Sequence, residues 1–143
     1  MISSNKEDYL RAMYHLWEEN EVLIKVKHFD ETNVKSNEIA SYLQVSRPSV
    51  SRMMNTLEKD GFVQFQRYGK LKFTKKGEEL AKNITAKHRI IELFLTEQLK
   101  IKGKKVHNLA HKLEHAFDDE CISKLKKLLN NPKKDPHGKP IPR

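Results

Sequence analysis

The sequence has a single cysteine, Cys121, among 143 residues, so no disulfide can form within the chain. It has no run approaching the roughly 20 apolar residues that a helix needs to cross a bilayer. Its first eight residues carry neither the basic nor the apolar region of a signal peptide. We therefore expect a protein of the reducing cytoplasm that has no membrane partner.

Motifs typical of enzymes are also missing from the sequence. It contains no glycine-rich phosphate loop, no nucleophile motif and no stretch suited to a substrate domain. We therefore predict that the protein is not an enzyme and takes no small organic substrate. Only 37% of the residues are hydrophobic, and a chain this short of core material often completes its core by dimerising.

The net charge of +9 is unevenly distributed. Residues 35–76 hold nine Lys or Arg and three acidic residues, whereas residues 1–34 hold four basic and seven acidic residues. A basic segment that follows an acidic one favours contact with a polyanion, and nucleic acid is the leading candidate. A solvated basic surface would give the same count.

Hydrophobic spacing predicts a helix from about Asn5 to Asn20 and then two short helices joined by a tight turn. The turn is Gln44-Val45-Ser46, where Ser46 is a good N-cap and Pro48 suits the first helical turn. Gly61 is predicted to end the second helix. Residues 21–34 have no clear period; they could contain a short strand at Val22–Val26 and otherwise form a linker.

A β-hairpin is predicted directly after these helices. Phe62–Gln66 and Lys70–Thr74 alternate apolar and polar residues, and Arg67-Tyr68-Gly69 lies between them as the turn. A hairpin in this place is a wing, so residues 1–76 are predicted to form a winged helix-turn-helix domain. Arg67, Lys70 and Lys72 are suited to phosphate contacts.

The second half of the chain is predicted to be helical, which makes the protein mainly α. Apolar spacing indicates helices over residues 77–100, 104–117 and 118–129, in a dimerisation and sensing domain of residues 77–130. Residues 131–143 are rich in Pro and Lys and are predicted to be an extended or disordered tail.

Histidines and a carboxylate gather on one face of the helix predicted at 104–117. His107, His111, Glu114 and His115 fall within a sector of about 100° beside the apolar face. A bound cation would satisfy these polar groups at the edge of a buried surface. His88 and Glu92 repeat the i, i+4 spacing on the preceding helix. The alternative is that all six are solvated surface residues, as we expect for His15, His28 and His137.

The chain resembles the iron- and manganese-dependent repressors of the diphtheria toxin repressor and manganese transport regulator type. The resemblance covers residues 5–142 and is carried by these segments: Asp8-Tyr9-Leu10-Arg11-Ala12-Met13-Tyr14, Ser46-Arg47-Pro48-Ser49-Val50-Ser51, Thr74-Lys75-Lys76-Gly77, Lys87-His88-Arg89, Val106-His107 and Leu113-Glu114-His115. The last two are specific to this family, while a helix-turn-helix is common to many families.

The resemblance implies two metal sites per chain. The first would consist of Asp8, His111, Glu114 and His115, and the second of His88, Glu92 and His107. Mn²⁺ or Fe²⁺ are the implied cofactors, although Zn²⁺, Co²⁺ or Ni²⁺ would also bind such ligands. His111 stands where the family usually has cysteine or glutamate. Arg11 stands where manganese-type members have glutamate, so their two-metal arrangement is not expected here.

The resemblance also implies a homodimeric, metal-dependent repressor that binds a double-stranded DNA operator. The residues predicted to contact DNA from the second helix of the motif are Ser46, Arg47, Pro48, Ser49, Ser51 and Arg52. Arg52 is the candidate for a base edge, with phosphate contact as the alternative. Two rival functions stay open: a winged-helix regulator that responds to another signal, and a metal-storage protein.

Overall fold

The computed structural model of the protein describes residues 4–27, 34–66 and 69–142, with the backbone alone for 22–27. The chain forms two compact units, which divide between Lys82 and Asn83. The helices and strands of the described residues are α1 (Ser4–Lys27), β1 (Val34–Lys35), α2 (Ser36–Leu43), α3 (Arg47–Lys59), β2 (Val63–Phe65), β3 (Lys70–Phe73), α4 (Lys75–Glu97), α5 (Lys104–Glu114) and α6 (Asp119–Leu128).

The first unit contains the helix-turn-helix that the sequence predicts. Gln44 adopts the left-handed conformation (φ 56°) at the end of α2, and its backbone turns the chain towards α3. At the start of α3, Ser46 Oγ accepts a hydrogen bond from the Ser49 N–H, 3.2 Å away. Ile39 on α2 and Met54 on α3 are fully buried, so the apolar faces of the two helices form the core of this unit.

The wing is also present, as two strands of a three-stranded antiparallel sheet in the order β1-β3-β2. Val63 lies opposite Phe73, and Phe65 lies opposite Leu71. Leu71 is buried while its neighbour Lys72 is exposed, as the alternating pattern predicts. The third strand, β1, is too short for its pattern to be read from the sequence, and it forms because Val34 pairs with Leu71 on β3.

Two sequence expectations in the first unit are wrong. The first helix does not stop near Asn20, and the segment Val22–Val26 is not a strand, because α1 continues to Lys27. Once a helix has formed, each added residue contributes a hydrogen bond, so a weakly patterned segment can extend it. Residues 28–33 of the expected linker lie outside the described residues.

Close packing explains Gly77 at the start of α4. A Cβ atom at this position would lie 1.8 Å from the carbonyl oxygen of Phe62, which is backbone and cannot move aside as a flexible side chain would. The Thr74 N–H donates to the same oxygen over 3.1 Å. A glycine is therefore required where the wing passes into α4.

The second unit buries apolar side chains of α4, α5 and α6 together. Ile90 and Ile91 are fully buried, and Val106, Ala110 and Ile122 pack against the same cluster. The three helices lie close to their predicted bounds, although α5 ends at Glu114 and α6 begins after an Asp118 N-cap. Among the described helices, none has the length and apolar character of a membrane span.

Residues 131–142 correct another expectation, because they fold instead of forming an extended or disordered tail. Lys134 pairs with Pro140 in an antiparallel bridge, and a turn lies between them. Asp135 is buried, and Ile141 packs against the apolar cluster of the second unit. Composition suggested disorder, but the contacts of Asp135 and Ile141 order the segment within that unit.

Candidate metal-binding groups and nucleic-acid interface

The second unit brings together three of the predicted ligands on α4 and α5, here called the His107 group: His88, Glu92 and His107. One ligand atom from each lies within 4.8 Å of those of the other two. His88 and Glu92 are one turn apart on α4, and their Nε2 and Oε1 atoms are 2.6 Å apart. His88 and Glu92 are buried, whereas His107 is exposed, so the group runs from the interior to the surface.

A second set, here called the Glu114 group, lies at the end of α5 and consists of His111, Glu114 and His115. Its ligand atoms also lie within 4.8 Å of one another. His115 follows the last residue of α5 but keeps helical backbone angles (φ −84°, ψ −18°), so it stays on the predicted face. Glu114 is only 2% exposed, and its Oε1 lies 3.6 Å from His115 Nε2.

The imidazole of His88 connects the two groups. Its Nδ1 lies 2.7 Å from Glu114 Oε2, while its Nε2 faces Glu92. With both nitrogens beside carboxylate oxygens, the ring is placed to donate a hydrogen bond from each nitrogen. If a cation replaced the proton on Nε2, the Nδ1–H would still donate to Glu114. Histidines that bind metals commonly donate their other N–H to a carboxylate in this way.

The electrostatics of the His107 group favour a charged carboxylate at Glu92. Burial raises the pKa of Glu92, but the hydrogen bond from His88 lowers it. The positive charges of His88, His107 and His137 lower the pKa of Glu92 further, and the net result is a pKa below the ordinary value. An ionised carboxylate beside imidazole nitrogens is a donor set that suits divalent transition metals.

Asp8, the remaining predicted ligand, lies on α1 in the first unit and is half-buried. Its role in the Glu114 group stays a prediction from the resemblance. Arg11, three residues further along α1, is also half-buried.

On α3, three of the residues predicted to contact DNA form a chain of hydrogen bonds along one side of the helix. Ser46 Oγ donates to Ser49 Oγ over 2.8 Å, and the Arg52 guanidinium donates to Ser49 Oγ over 3.3 Å. Ser46 and Arg52 are exposed, as are Arg47, Pro48 and Ser51. The capping role of Ser46 is confirmed. Whether Arg52 contacts a base or a phosphate stays a prediction.

Two of the three wing residues that are predicted to contact phosphate lie on β3. Lys72 is exposed and Lys70 is half-buried. Arg67 lies outside the described residues. Ser36 Oγ donates to the carbonyl oxygen of Gly69 over 3.2 Å, which joins the start of α2 to the turn of the wing.

The three histidines expected to be surface residues have different positions. His15 pairs with Glu19 on α1, with 2.9 Å between Nε2 and Oε1. His28 lies outside the described residues. His137, in the folded tail, lies with its Nε2 3.7 Å from Glu92 Oε2, beside the His107 group. Sequence spacing could not predict this contact, since His137 lies 45 positions after Glu92 in the chain.

The fold and these groups define a class: a winged-helix DNA-binding unit followed by a helical unit that carries two sets of metal-ligand side chains. The chain belongs to the iron-dependent repressor family. Residues 1–71 match the family's N-terminal DNA-binding domain, and residues 74–143 match its metal-binding and dimerisation domain. The resemblance on which the sequence prediction rested is thereby confirmed.

Relatives with known names agree with this membership. The chain is 33% identical over 136 residues to the iron-dependent repressor IdeR of Mycobacterium tuberculosis, covering 95% of this chain and 54% of that protein. It is 34% identical over 136 residues to the diphtheria toxin repressor of Corynebacterium diphtheriae, with 95% and 55% covered. The solved structure of the manganese regulator SloR superposes with a TM-score of 0.80 at 35% identity, over 99% of this chain and 61% of that one. The chain thus spans about half the length of these curated relatives.

Proposed function

We propose that the protein is a metal-dependent transcriptional repressor in which Mn²⁺ or Fe²⁺ promotes binding to an operator that controls metal-homeostasis genes. One observation carries the proposal: a single chain combines a winged helix with two sets of imidazole and carboxylate ligands. The winged helix argues against a storage protein. Each ligand set contains buried polar side chains, His88 and Glu92 in one and Glu114 in the other, and such costly burial argues against a regulator that ignores metal.

The ligand chemistry supports Mn²⁺ or Fe²⁺ as the cofactor. The Glu114 group supplies a carboxylate and two imidazoles without a thiolate, and hard-to-borderline donors of this kind suit both ions. Zn²⁺, Co²⁺ and Ni²⁺ bind the same donors, so we expect them to compete in vitro. The names of the relatives include both iron-dependent and manganese regulators.

We propose that Asp8 is the ligand that couples metal to DNA binding. As part of α1, it belongs to the unit that carries the recognition helix. A cation that binds Asp8 together with the Glu114 group would favour DNA-competent arrangements, but only by its differential affinity for them. The metal-free protein is then expected to bind its operator weakly.

We further propose that a homodimer binds double-stranded DNA in the cytoplasm, with α3 of each copy in the major groove. The exposed side of α3, from Ser46 to Arg52, and the lysines of β3 supply the contacts. The family's second domain is a dimerisation domain. Two of the relatives, IdeR and the diphtheria toxin repressor, are named as repressors, which supports a regulatory role over an enzymatic one.

The test is operator binding by the Asp8→Ala variant with and without Mn²⁺. We expect the variant to fold normally and to lose the metal-dependent gain in DNA affinity, about 5–150-fold for typical couplings between sites. Glu7→Ala is the matched control, since it removes the neighbouring carboxylate on α1. Full stimulation of DNA binding by Mn²⁺ in Asp8→Ala would contradict the coupling scheme.

Calorimetric titration of chelator-stripped protein with Mn²⁺, and anaerobically with Fe²⁺, tests the sites themselves. Two ions per chain are expected. No binding of either ion by the folded protein would overturn the metal-dependent function and leave a winged-helix regulator with another signal.

A further inference from the structure

The tail segment 131–142 forms a turn beside α4 that its own hydrogen bonds stabilise. Asp135 Oδ1 accepts hydrogen bonds from the backbone N–H groups of His137 and Lys139, over 2.9 and 2.8 Å. Gly138 has a φ of +83°, a conformation that glycine adopts without strain. Pro132, Pro136 and Pro140 restrict the unfolded chain, which reduces the entropy lost when the turn forms.

Arg89 attaches this turn to the helix that carries the His107 group. Its guanidinium donates to the carbonyl oxygen of Pro140 over 2.6 Å and lies 4.0 Å from Asp135 Oδ2. Arg89 and Asp135 are both buried. Because Arg89 follows His88 directly and precedes Glu92 by three residues, the tail is fixed at the level of the His107 group.

This attachment places the side chain of His137 beside Glu92. The two oxygens of the Glu92 carboxylate face two imidazoles, with His88 Nε2 2.6 Å from Oε1 and His137 Nε2 3.7 Å from Oε2. Donors bound to one ion at about 2.1 Å lie about 3–3.5 Å apart. The distance from His137 Nε2 to Glu92 Oε2 exceeds this spacing by only a few tenths of an ångström. His137 is not among the three side chains whose ligand atoms all lie within 4.8 Å of one another, so its side chain, which is 69% exposed, has to turn further towards His88 and His107 to share their ion.

We propose that His137 is a further ligand of a divalent cation held by the His107 group, supplied by the folded tail. The resulting site has three imidazole nitrogens and one carboxylate, a set that suits borderline cations such as Zn²⁺, Co²⁺ and Fe²⁺. Ion binding would then also fix the tail to α4. This inference rests on the proposed metal-binding function.

The test isolates the His107 group by working in the full chain with His111→Ala and His115→Ala, which remove two ligands of the Glu114 group. Titration with Co²⁺ is followed by calorimetry and by the visible absorption of the ion. In this background His137→Ala is expected to weaken Co²⁺ binding by at least the roughly 10–100-fold that losing a residue supporting a metal costs. It is also expected to change the Co²⁺ absorption spectrum, which reports directly on the ligands.

Two controls separate ligation from a structural effect of the tail. Lys134→Ala alters another exposed tail side chain and is expected to leave affinity and spectrum unchanged. In the unaltered protein, substoichiometric Mn²⁺ is expected to broaden the imidazole NMR signals of His137 together with those of His88. A His137 signal that stays sharp would exclude ligation, because every ligand of this paramagnetic ion is broadened.

The outcomes are distinguishable. If Co²⁺ binds with equal affinity and an equal spectrum with and without His137, or if the His137 signal stays sharp, this inference is wrong while the proposed function stands. If the unaltered chain binds no divalent cation at all, both this inference and the proposed metal-dependent function are wrong. A weaker affinity, a changed spectrum and a broadened His137 signal together support the inference.

Discussion

The two units of the chain bury different kinds of side chain. Among the described residues, every buried polar or charged side chain lies in the second unit: Thr85, His88, Arg89, Glu92, Glu114 and Asp135. The buried side chains of the first unit, such as Leu10, Ile39, Met54 and Leu71, are apolar or aromatic.

This difference makes the two units depend on the solution in different ways. An apolar core stabilises its unit whatever the solution contains, and the first unit therefore needs no ligand to hold α3 and the wing in place. Buried imidazoles and carboxylates are costly to desolvate, so the second unit depends on how they are paired. We expect metal concentration and pH to change the stability of the second unit and to leave the stability of the first nearly unchanged.

The largest effect should come from truncating the apolar core of the first unit. Met54 is fully buried on α3, and Met54→Ala should lower the free energy of unfolding by about 2–5 kcal/mol through lost burial and an unfilled cavity. Chemical denaturation measures this. Met53→Ala, at a half-buried neighbour, should cost less. Calorimetric Mn²⁺ affinity should stay unchanged in folded Met54→Ala; a large loss of affinity would show that the two units are not separable in this way.

A smaller effect of opposite sign is expected at Thr85 in the second unit. Its hydroxyl is buried and has no hydrogen-bond partner in the part of the chain that the structure describes. Replacing it with a methyl group in Thr85→Val should raise the free energy of unfolding by about 1 kcal/mol, because an unsatisfied buried hydroxyl is costly. Thr85→Ser, which keeps the hydroxyl and loses the methyl group, should be destabilised. A destabilised Thr85→Val would mean that the hydroxyl is satisfied after all.

The smallest effect on stability should come from the N-caps of α6 and α3. The contribution of the cap should depend on pH for α6, in the second unit, and not for α3, in the first. In the second unit, the Cys121 N–H donates to Asp118 Oδ1 over 2.8 Å, and hydrogen bonding to Cys121 lowers the pKa of Asp118. A lowered pKa contributes stability that is present above the unfolded value of about 3.9 and is lost as pH falls through the folded value. In the first unit the cap is the hydroxyl of Ser46, which does not titrate in this range.

Thermal unfolding between pH 7 and pH 3 measures this contrast. The difference in Tm between the unaltered protein and Asp118→Asn, which keeps a capping oxygen without the charge, should be present at pH 7 and shrink below about pH 3.9. The corresponding difference for Ser46→Ala should be the same at both ends of the range. A constant difference for Asp118→Asn would contradict the assignment.

The sequence predicted correctly those elements whose conformation depends on the spacing of nearby residues. The helix-turn-helix follows from apolar spacing, the Ser46 cap and Pro48, and the wing follows from alternation around residues 67–69. The histidine face of α5 was also predictable, because positions four residues apart on a helix share a side. The conformations of α1 beyond Asn20 and of the tail were not, since neither segment has a pattern of its own.

By itself, then, the sequence determined the family, the winged helix and which side chains share a helix face, because each depends on residues near one another along the chain. Tertiary structure decided what meets across helices and loops. It set the imidazole of His88 between Glu92 and Glu114, attached the tail to Arg89 and brought His137 to the His107 group. Such contacts join residues far apart in the chain, and they follow from packing and charge pairing that no local spacing encodes.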